Sequence, residues 1–124
     1  MTQEHKENVG VIEDKRIFER FTARFPVKFK HSYNDFGMEV FLRDASAEGI
    51  KVTTKERMFV NDSVSILVKL PDGKDVLMLN GQVIWIKSKS PDLWEVGLKL
   101  HKVNLMEMQR MFKLVQEAAP YLAA

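Results

Sequence analysis

The sequence predicts a mainly β fold, a six-stranded antiparallel β-barrel with a C-terminal α-helix and a flexible N-terminal arm. Two observations predict it. Between residues 24 and 100, apolar and polar residues alternate in short segments that are separated by turn residues. After Val103 the apolar spacing changes to that of a helix. Short strands at regular spacing followed by one helix are typical of a small barrel with a helix packed on it.

Composition limits the class of protein. A chain of 124 residues suits one domain, and 45% hydrophobic and 29% charged residues are typical of a soluble globular protein. A net charge of +2 argues against DNA or RNA as a partner, because duplex binding usually selects a strongly basic face. The absence of cysteine excludes disulfides and thiolate chemistry. No apolar run approaches the roughly 20 residues of a membrane span, so we expect a cytoplasmic protein without membrane insertion.

The predicted elements follow in chain order. Residues 1–14 are polar and form the predicted flexible arm, 15–119 form the single domain, and 120–124 form a tail. In the first strand Phe25, Val27 and Phe29 point to one side, and lysine and arginine point to the other. The remaining strands are predicted at 38–44, 49–54, 62–70, 74–87 and 93–100.

Asn80-Gly81 interrupts the fifth strand segment, and it fits either a hairpin turn or a glycine bend inside one long strand. In the final segment Leu105, Met108 and Phe112 fall at helical spacing. Pro120 is expected to end this helix at or before residue 119.

Two short motifs stand out, and each has an ordinary structural explanation. Arg16 and Arg20 are four residues apart and could form the solvated face of a short helix. Asp44, Ser46 and Gly49, in "DASAEG", have the composition of a turn that is closed by a side-chain hydrogen bond. The two motifs flank the first two predicted strands, which makes their joint occurrence more informative than either alone.

Together these motifs resemble the signature of PilZ domains, bacterial receptors for cyclic di-GMP. That family carries R-x-x-x-R near its start and [D/N]-x-S-x-x-G two dozen or more residues later. The resemblance extends over residues 14–118, because "GQVIWI" (81–86) and "LWEVGLKL" (93–100) are similar to later family strands. Two departures lie outside the ligand motifs: 60–64 lacks a glycine that is frequent in the family, and Leu100 replaces a frequent aromatic residue.

The resemblance implies a PilZ-like split barrel, a non-catalytic receptor, and cyclic di-GMP as a ligand rather than a cofactor. Arg16 and Arg20 would bind it, since the arginine fork pairs with phosphate oxygens and with guanine O6 and N7. Asp44 would accept from guanine N1 and N2 or hold an arginine, and Ser46 would donate to phosphate or base. Gly49 would allow close backbone approach or a positive φ.

Two further residues are candidate ligand contacts. A basic residue at the position of Lys15 accompanies, in this family, the binding of a stacked ligand dimer, which would mean two molecules per protein; a solvated charge is the alternative. Trp85 at a strand end fits stacking on guanine, and a core or rim aromatic is the alternative. No metal site is expected, because the three histidines are isolated in the sequence.

The resemblance leaves the partner open. On ligand binding, the arm would order against the barrel and signal to an unidentified downstream protein. The apolar stripe of the C-terminal helix would contact that partner or a second copy in a homodimer. One rival is a PilZ-fold interaction module that binds no nucleotide. Another is a barrel that binds single-stranded nucleic acid through Trp85, Phe36 and the basic face of the first strand.

Overall fold

The structure is a computed structural model that describes residues 15–123, with side chains described for residues 17–117. Within that range a short 3₁₀ helix at Lys15–Phe18 precedes seven strands and one long α-helix. These elements are β1 (Phe21–Thr22), β2 (Val27–Phe29), β3 (Val40–Ala45), β4 (Gly49–Thr54), β5 (Ser63–Val68), β6 (Leu77–Ser90), β7 (Leu93–His101) and α1 (Leu105–Ala123). The arm predicted for residues 1–14 lies outside the described residues.

The strands form one antiparallel sheet in the order β1-β3-β4-β7-β6-β5-β2. The two ends of the sheet approach each other, because Pro26, just before the edge strand β2, makes an isolated bridge to Phe41, in the part of β3 that β1 leaves unpaired. The sheet therefore curls into a nearly closed barrel. The predicted antiparallel barrel with one C-terminal helix is confirmed, with seven strands in the described range rather than six.

The additional strand comes from the segment around Pro26. β1 pairs with the end of β3, where Phe21 lies opposite Ala45 and Thr22 opposite Asp44. β2 pairs instead with β5 at the other edge of the sheet. Proline lacks an N–H group and cannot donate to a strand ladder, and Pro26 lies between the two short strands. The first strand predicted from residue 24 is therefore shortened to β2, and β1, which precedes residue 24, was not predicted.

The core lies inside the curled sheet. Strand β4 shows the pattern, because Ile50, Val52 and Thr54 are fully buried while Lys51 between them is half-buried on the outer face. Alternate residues of a strand point to opposite faces, so the outer face of β4 presents Gly49, Lys51 and Thr53. The sheet thus offers a polar outer surface above a dry interior.

Strand β6 is continuous through Asn80-Gly81. Asn80 lies opposite Ser65 of β5 and opposite His101 of β7, and the Ser65 hydroxyl donates to the Asn80 side-chain oxygen at 2.6 Å. A β-carbon at Gly81 would lie 2.7 Å from the Lys99 carbonyl oxygen. Asn80-Gly81 therefore lies inside one long strand, as the interpretation of a glycine bend predicts, and the interpretation as a hairpin turn is wrong.

Helix α1 packs on the barrel through Met108, Met111 and Phe112, which are buried. The Phe112 ring meets the Phe21 ring edge to face with centroids 5.0 Å apart. The Asn104 side-chain oxygen accepts two backbone N–H groups of the first turn, as an N-cap residue does.

The predicted end of this helix at or before residue 119 is wrong, because α1 continues through Pro120 to Ala123. Proline fixes a φ angle that is compatible with a helix and removes one backbone hydrogen bond. The bias of the preceding residue away from helical angles is a preference. Near a helix end the intrahelical hydrogen bonds are incomplete, so these two effects are small there and the helix continues through Pro120.

Candidate functional site

The turn between β3 and β4 is built by Ser46. Its backbone N–H donates to the Gly49 carbonyl at 2.8 Å. Its hydroxyl accepts from the N–H groups of Glu48 and Gly49 at 3.2 and 3.3 Å and donates to the Gly49 carbonyl at 3.3 Å. Ser46 is buried. Because its side chain makes these hydrogen bonds within the turn, it stabilises the conformation of the turn. The contact predicted between Ser46 and a ligand stays a prediction.

Gly49 begins β4 at a point of close backbone approach. A β-carbon there would lie 2.6 Å from the Leu98 carbonyl oxygen and 3.8 Å from Nη2 of Arg20. Gly49 does not have a positive φ, so that predicted reason for a glycine is wrong, and the predicted close approach of its backbone to a ligand stays a prediction. The Arg20 guanidinium lies over this bare stretch of backbone.

Arg20 and Asp44 form the shortest ion pair on this outer face among the described residues. Arg20 Nη1 donates to Asp44 Oδ1 at 2.7 Å, and Lys51 Nζ lies 3.4 Å from Asp44 Oδ2. Lys51 also lies 3.7 Å from a Glu95 carboxylate oxygen, and Lys89 lies 3.9 Å from the same oxygen. The Arg20 side chain remains 46% exposed and that of Lys51 31%. Both cations can therefore reach an anion above the sheet.

The segment before β1 is anchored next to this ion pair. Ile17 is fully buried, and its carbonyl accepts the Ala47 N–H at 2.6 Å, which ties the 3₁₀ helix to the β3–β4 turn. The backbone of Lys15 and Arg16 belongs to the same short helix. Their side chains lie outside the described side chains, so the roles predicted for both remain predictions.

Trp85 lies in the same cross-strand row as Asp44. Asp44 pairs with Lys51, Lys51 pairs with Gly97, and Gly97 pairs with Trp85. The Trp85 indole covers the Gly97 backbone where any side chain at 97 would point. Trp85 is 36% exposed, so it is a rim aromatic with ring surface open to solvent. Three strand spacings separate it from Asp44, about 14 Å.

The structure therefore places Arg20, Asp44 and Trp85 on one outer surface, with the buried Ser46 and Gly49 in the adjoining turn and at the start of β4. Three residues of this surface were not predicted: Lys51, Gly97 and Glu95. The alternation of β4 carries a signal for Lys51, since it lies two residues after Gly49 and shares its face. Spacing and alternation do not reveal the roles of Gly97 and Glu95, because these roles depend on the register of β7 against β4 and β6.

No group of three or more His, Cys, Asp or Glu side chains within residues 15–123 could hold a metal ion. In the same part of the chain, no helix is long and apolar enough to cross a membrane.

Comparison with solved structures supports the fold. The chain is similar to the Bacillus subtilis inhibitor of motility (MotI/DgrA), with a TM-score of 0.56 and 14% sequence identity. The match covers 82% of this chain and 50% of that protein, so this chain spans about half its length. At this identity the likeness shows the fold alone.

Comparison with sequences identifies the family. No curated protein matches the chain. The family model described as "PilZ domain" matches residues 14–117, which include both motifs and most of the described structure. PilZ domains are typically non-catalytic binding modules that take cyclic di-GMP as a ligand. The chain therefore belongs to the PilZ domain family of cyclic di-GMP receptors.

Proposed function

We propose that this chain binds cyclic di-GMP on the outer face of β3, β4, β7 and β6. The single observation that carries the proposal is the cross-strand row from Asp44 to Trp85, with Arg20 at its polar end. Cations at one end of the row suit the ligand phosphates. An exposed indole about 14 Å away suits one of its planar guanines.

Each residue of the row has a distinct role in this proposal. Asp44 holds the Arg20 guanidinium at 2.7 Å, so the arginine is positioned before the ligand arrives. A positioned guanidinium loses less side-chain entropy when it binds phosphate or guanine, and its planar fork fits either partner. Lys51 adds a point charge, and Trp85 stacks on a base. Gly49 has no side chain, so a flat ring of the ligand could approach the backbone at the start of β4 closely.

Ligand binding would also act on the N-terminal arm. Arg16 follows Lys15 in the 3₁₀ helix whose Ile17 is buried against the β3–β4 turn. A ligand held by both arginines and by the turn would stabilise the docked arm against its undocked states. The ordered arm would present a new surface to a downstream protein. Helix α1 remains a candidate contact for that protein or for a second copy.

Titration calorimetry with cyclic di-GMP tests the proposal. Arg16→Ala and Arg20→Ala are each expected to weaken binding by about 1–3 kcal/mol, the value of a bidentate pair with guanine. Arg57→Ala is the matched control, because this exposed arginine stacks on Phe59 and Trp94 and not on the row. Binding by both single variants that equals the parent's would refute the assignment of the site.

A second candidate function is supported by one observation. The Arg20 guanidinium is already paired with Asp44, and the Ser46 hydroxyl is fully used within its own turn. Both residues therefore have structural roles without any nucleotide, as in a PilZ-fold module that only binds protein. A folded protein that shows neither heat nor a change in melting temperature with cyclic di-GMP would favour this function.

A further inference from the structure

An open pocket of about 220 Å³ lies where the barrel is least closed, between β2 and β3. Three phenylalanines contribute to its walls, together with aliphatic side chains of both strands, and two arginines contribute to its lining. The residues that matter here are Arg24, Phe25, Phe36, Phe41 and Arg43. The pocket is separate from the row of Asp44, Lys51 and Trp85, none of which lines it.

Cations surround the aromatic rings of this pocket. Lys28 and Lys69 lie on the Phe36 ring, with their Nζ atoms 5.5 and 5.8 Å from its centroid. The Arg43 guanidinium lies 5.6 Å from the Phe41 centroid. Such contacts orient the charged groups and leave their remaining N–H donors available.

Within the part of the chain that the structure describes, these cations have no carboxylate partner. Among the described residues, no Asp or Glu oxygen lies within 4 Å of the charged nitrogens of Arg24, Lys28, Arg43 or Lys69. Lys28 and Arg43 are only half-exposed, and Arg43 donates to the Thr53 hydroxyl at 3.1 Å. A group of partly desolvated cations without an acidic partner is complementary to an anionic one.

The volume of the pocket indicates which kind of molecule it can hold. Pockets for small molecules usually measure about 300–1,000 Å³, and this one is smaller and open to solvent. It suits one planar side chain inserted from a protein surface, as the central residue of an interface does. We infer that this pocket binds an acidic segment of a partner protein, with one aromatic side chain in the pocket and flanking carboxylates on the surrounding cations.

The overall charge favours an acidic peptide over single-stranded nucleic acid, which would also offer planar groups and anions. Lys and Arg number 19 in this chain and Asp and Glu number 17. Tight nucleic-acid binding usually needs a more basic domain and many phosphate contacts. The inference goes beyond the proposed function and does not depend on the nucleotide site.

Titration of ¹⁵N-labelled protein with the peptide acetyl-Asp-Glu-Phe-Glu-Asp-amide, followed by NMR, tests the inference. The expected result is saturable shifts of the backbone amides of Phe36, Gly37, Phe41 and Arg43. The same peptide with alanine in place of phenylalanine is expected to bind about tenfold more weakly or less. A peptide with lysines in place of its acidic residues is expected to cause no shifts.

Phe36→Ala is expected to weaken binding of the acidic peptide about tenfold. Phe59→Ala is the matched control, because Phe59 lies outside the pocket and also carries a cation, Arg57, on its ring. Equal binding of the phenylalanine and alanine peptides would overturn the inference, as would unchanged binding by Phe36→Ala. Tighter binding of an oligothymidine, with shifts of the same amides, would overturn the inference and would identify the occupant as single-stranded nucleic acid.

A separate titration of the same sample with cyclic di-GMP distinguishes the two sites. The nucleotide is expected to shift the amides of Arg20, Asp44, Lys51 and Trp85, while the peptide shifts those around Phe36. Loss of the nucleotide response alone would refute the proposed function and leave the pocket in place. Loss of the peptide response alone would refute the pocket. Peptide shifts confined to the nucleotide amides would also refute it.

Discussion

At the scale of single residues, Gly97 controls where the Trp85 ring lies. The indole occupies the space that a side chain at 97 would need. Gly97→Ala is therefore expected to displace the ring and to destabilise the protein by about 1–3 kcal/mol, as inserted methyl groups do in packed sites. Urea unfolding measures the loss, and tryptophan fluorescence reports the displaced ring.

A double-mutant cycle separates this steric effect from a general effect on β7. In the Trp85→Ala background there is no ring to displace, so Gly97→Ala is expected to cost much less than in the parent. Equal costs in both backgrounds would contradict the steric explanation. Gly49→Ala is a useful comparison, since its β-carbon would meet the Leu98 carbonyl, which belongs to the backbone and cannot rotate away.

Single residues also show which parts of the candidate site can be predicted from the sequence. Arg20, Asp44 and Gly49 carry recognisable spacing, and the structure places them together. Spacing does not reveal the role of Gly97, because its function is to leave space for a ring on another strand. Ser46 was predicted as a ligand contact, yet its described hydrogen bonds all lie within the turn. Spacing identifies a residue as important without saying whether it contacts the ligand or shapes the loop.

At the scale of elements, α1 is fastened to the β5–β6 turn by one ion pair. Arg110 donates from Nε to Asp72 Oδ2 at 2.6 Å and from Nη2 to Asp72 Oδ1 at 3.0 Å. The hydrogen bond from Arg110 is the main cause that lowers the pKa of Asp72 from 3.8 to about 2. Because the folded pKa lies below the ordinary value, the stabilisation is complete above about pH 3.8 and is lost as the pH falls through about 2.

Asp72→Asn is therefore expected to lower the melting temperature at pH 7 and to have progressively less effect as the pH falls from 4 to 2. Thermal unfolding followed by circular dichroism over this range measures both. Asp75→Asn is the matched control, because only its backbone carbonyl accepts from Arg110, at 3.2 Å. A difference between parent and Asp72→Asn that stays constant down to pH 2 would contradict the assignment.

The alternation of apolar residues predicted the strands well wherever a strand has one buried face. It failed around Pro26, where β1 is too short to show a period and the chain crosses from one sheet edge to the other. It also left Asn80-Gly81 undecided. The pairing of Asn80 with both Ser65 and His101 resolves that choice, and such pairing depends on residues far away in the sequence. Local composition cannot supply it.

At the scale of the whole molecule, ligand binding and folding are linked, and the linkage can report stoichiometry. A ligand that binds only the folded state stabilises it by about 1.4 kcal/mol for each tenfold increase in free ligand above the dissociation constant, per molecule bound. Two molecules bound as a stacked dimer would give about 2.8 kcal/mol per tenfold. The slope therefore distinguishes one ligand from two without knowledge of either affinity.

We expect the steeper slope, because the resemblance to the family places Lys15 where a basic residue would accompany the binding of a stacked ligand dimer. The free energy of unfolding in urea, measured at several concentrations of free cyclic di-GMP, gives the value. Lys15→Ala is expected to reduce the slope toward that of one ligand, while Lys113→Ala, an exposed lysine on α1, is expected to leave it unchanged. A parent slope near 1.4 kcal/mol per tenfold would mean a single bound molecule and would remove the reason to assign Lys15 to the site.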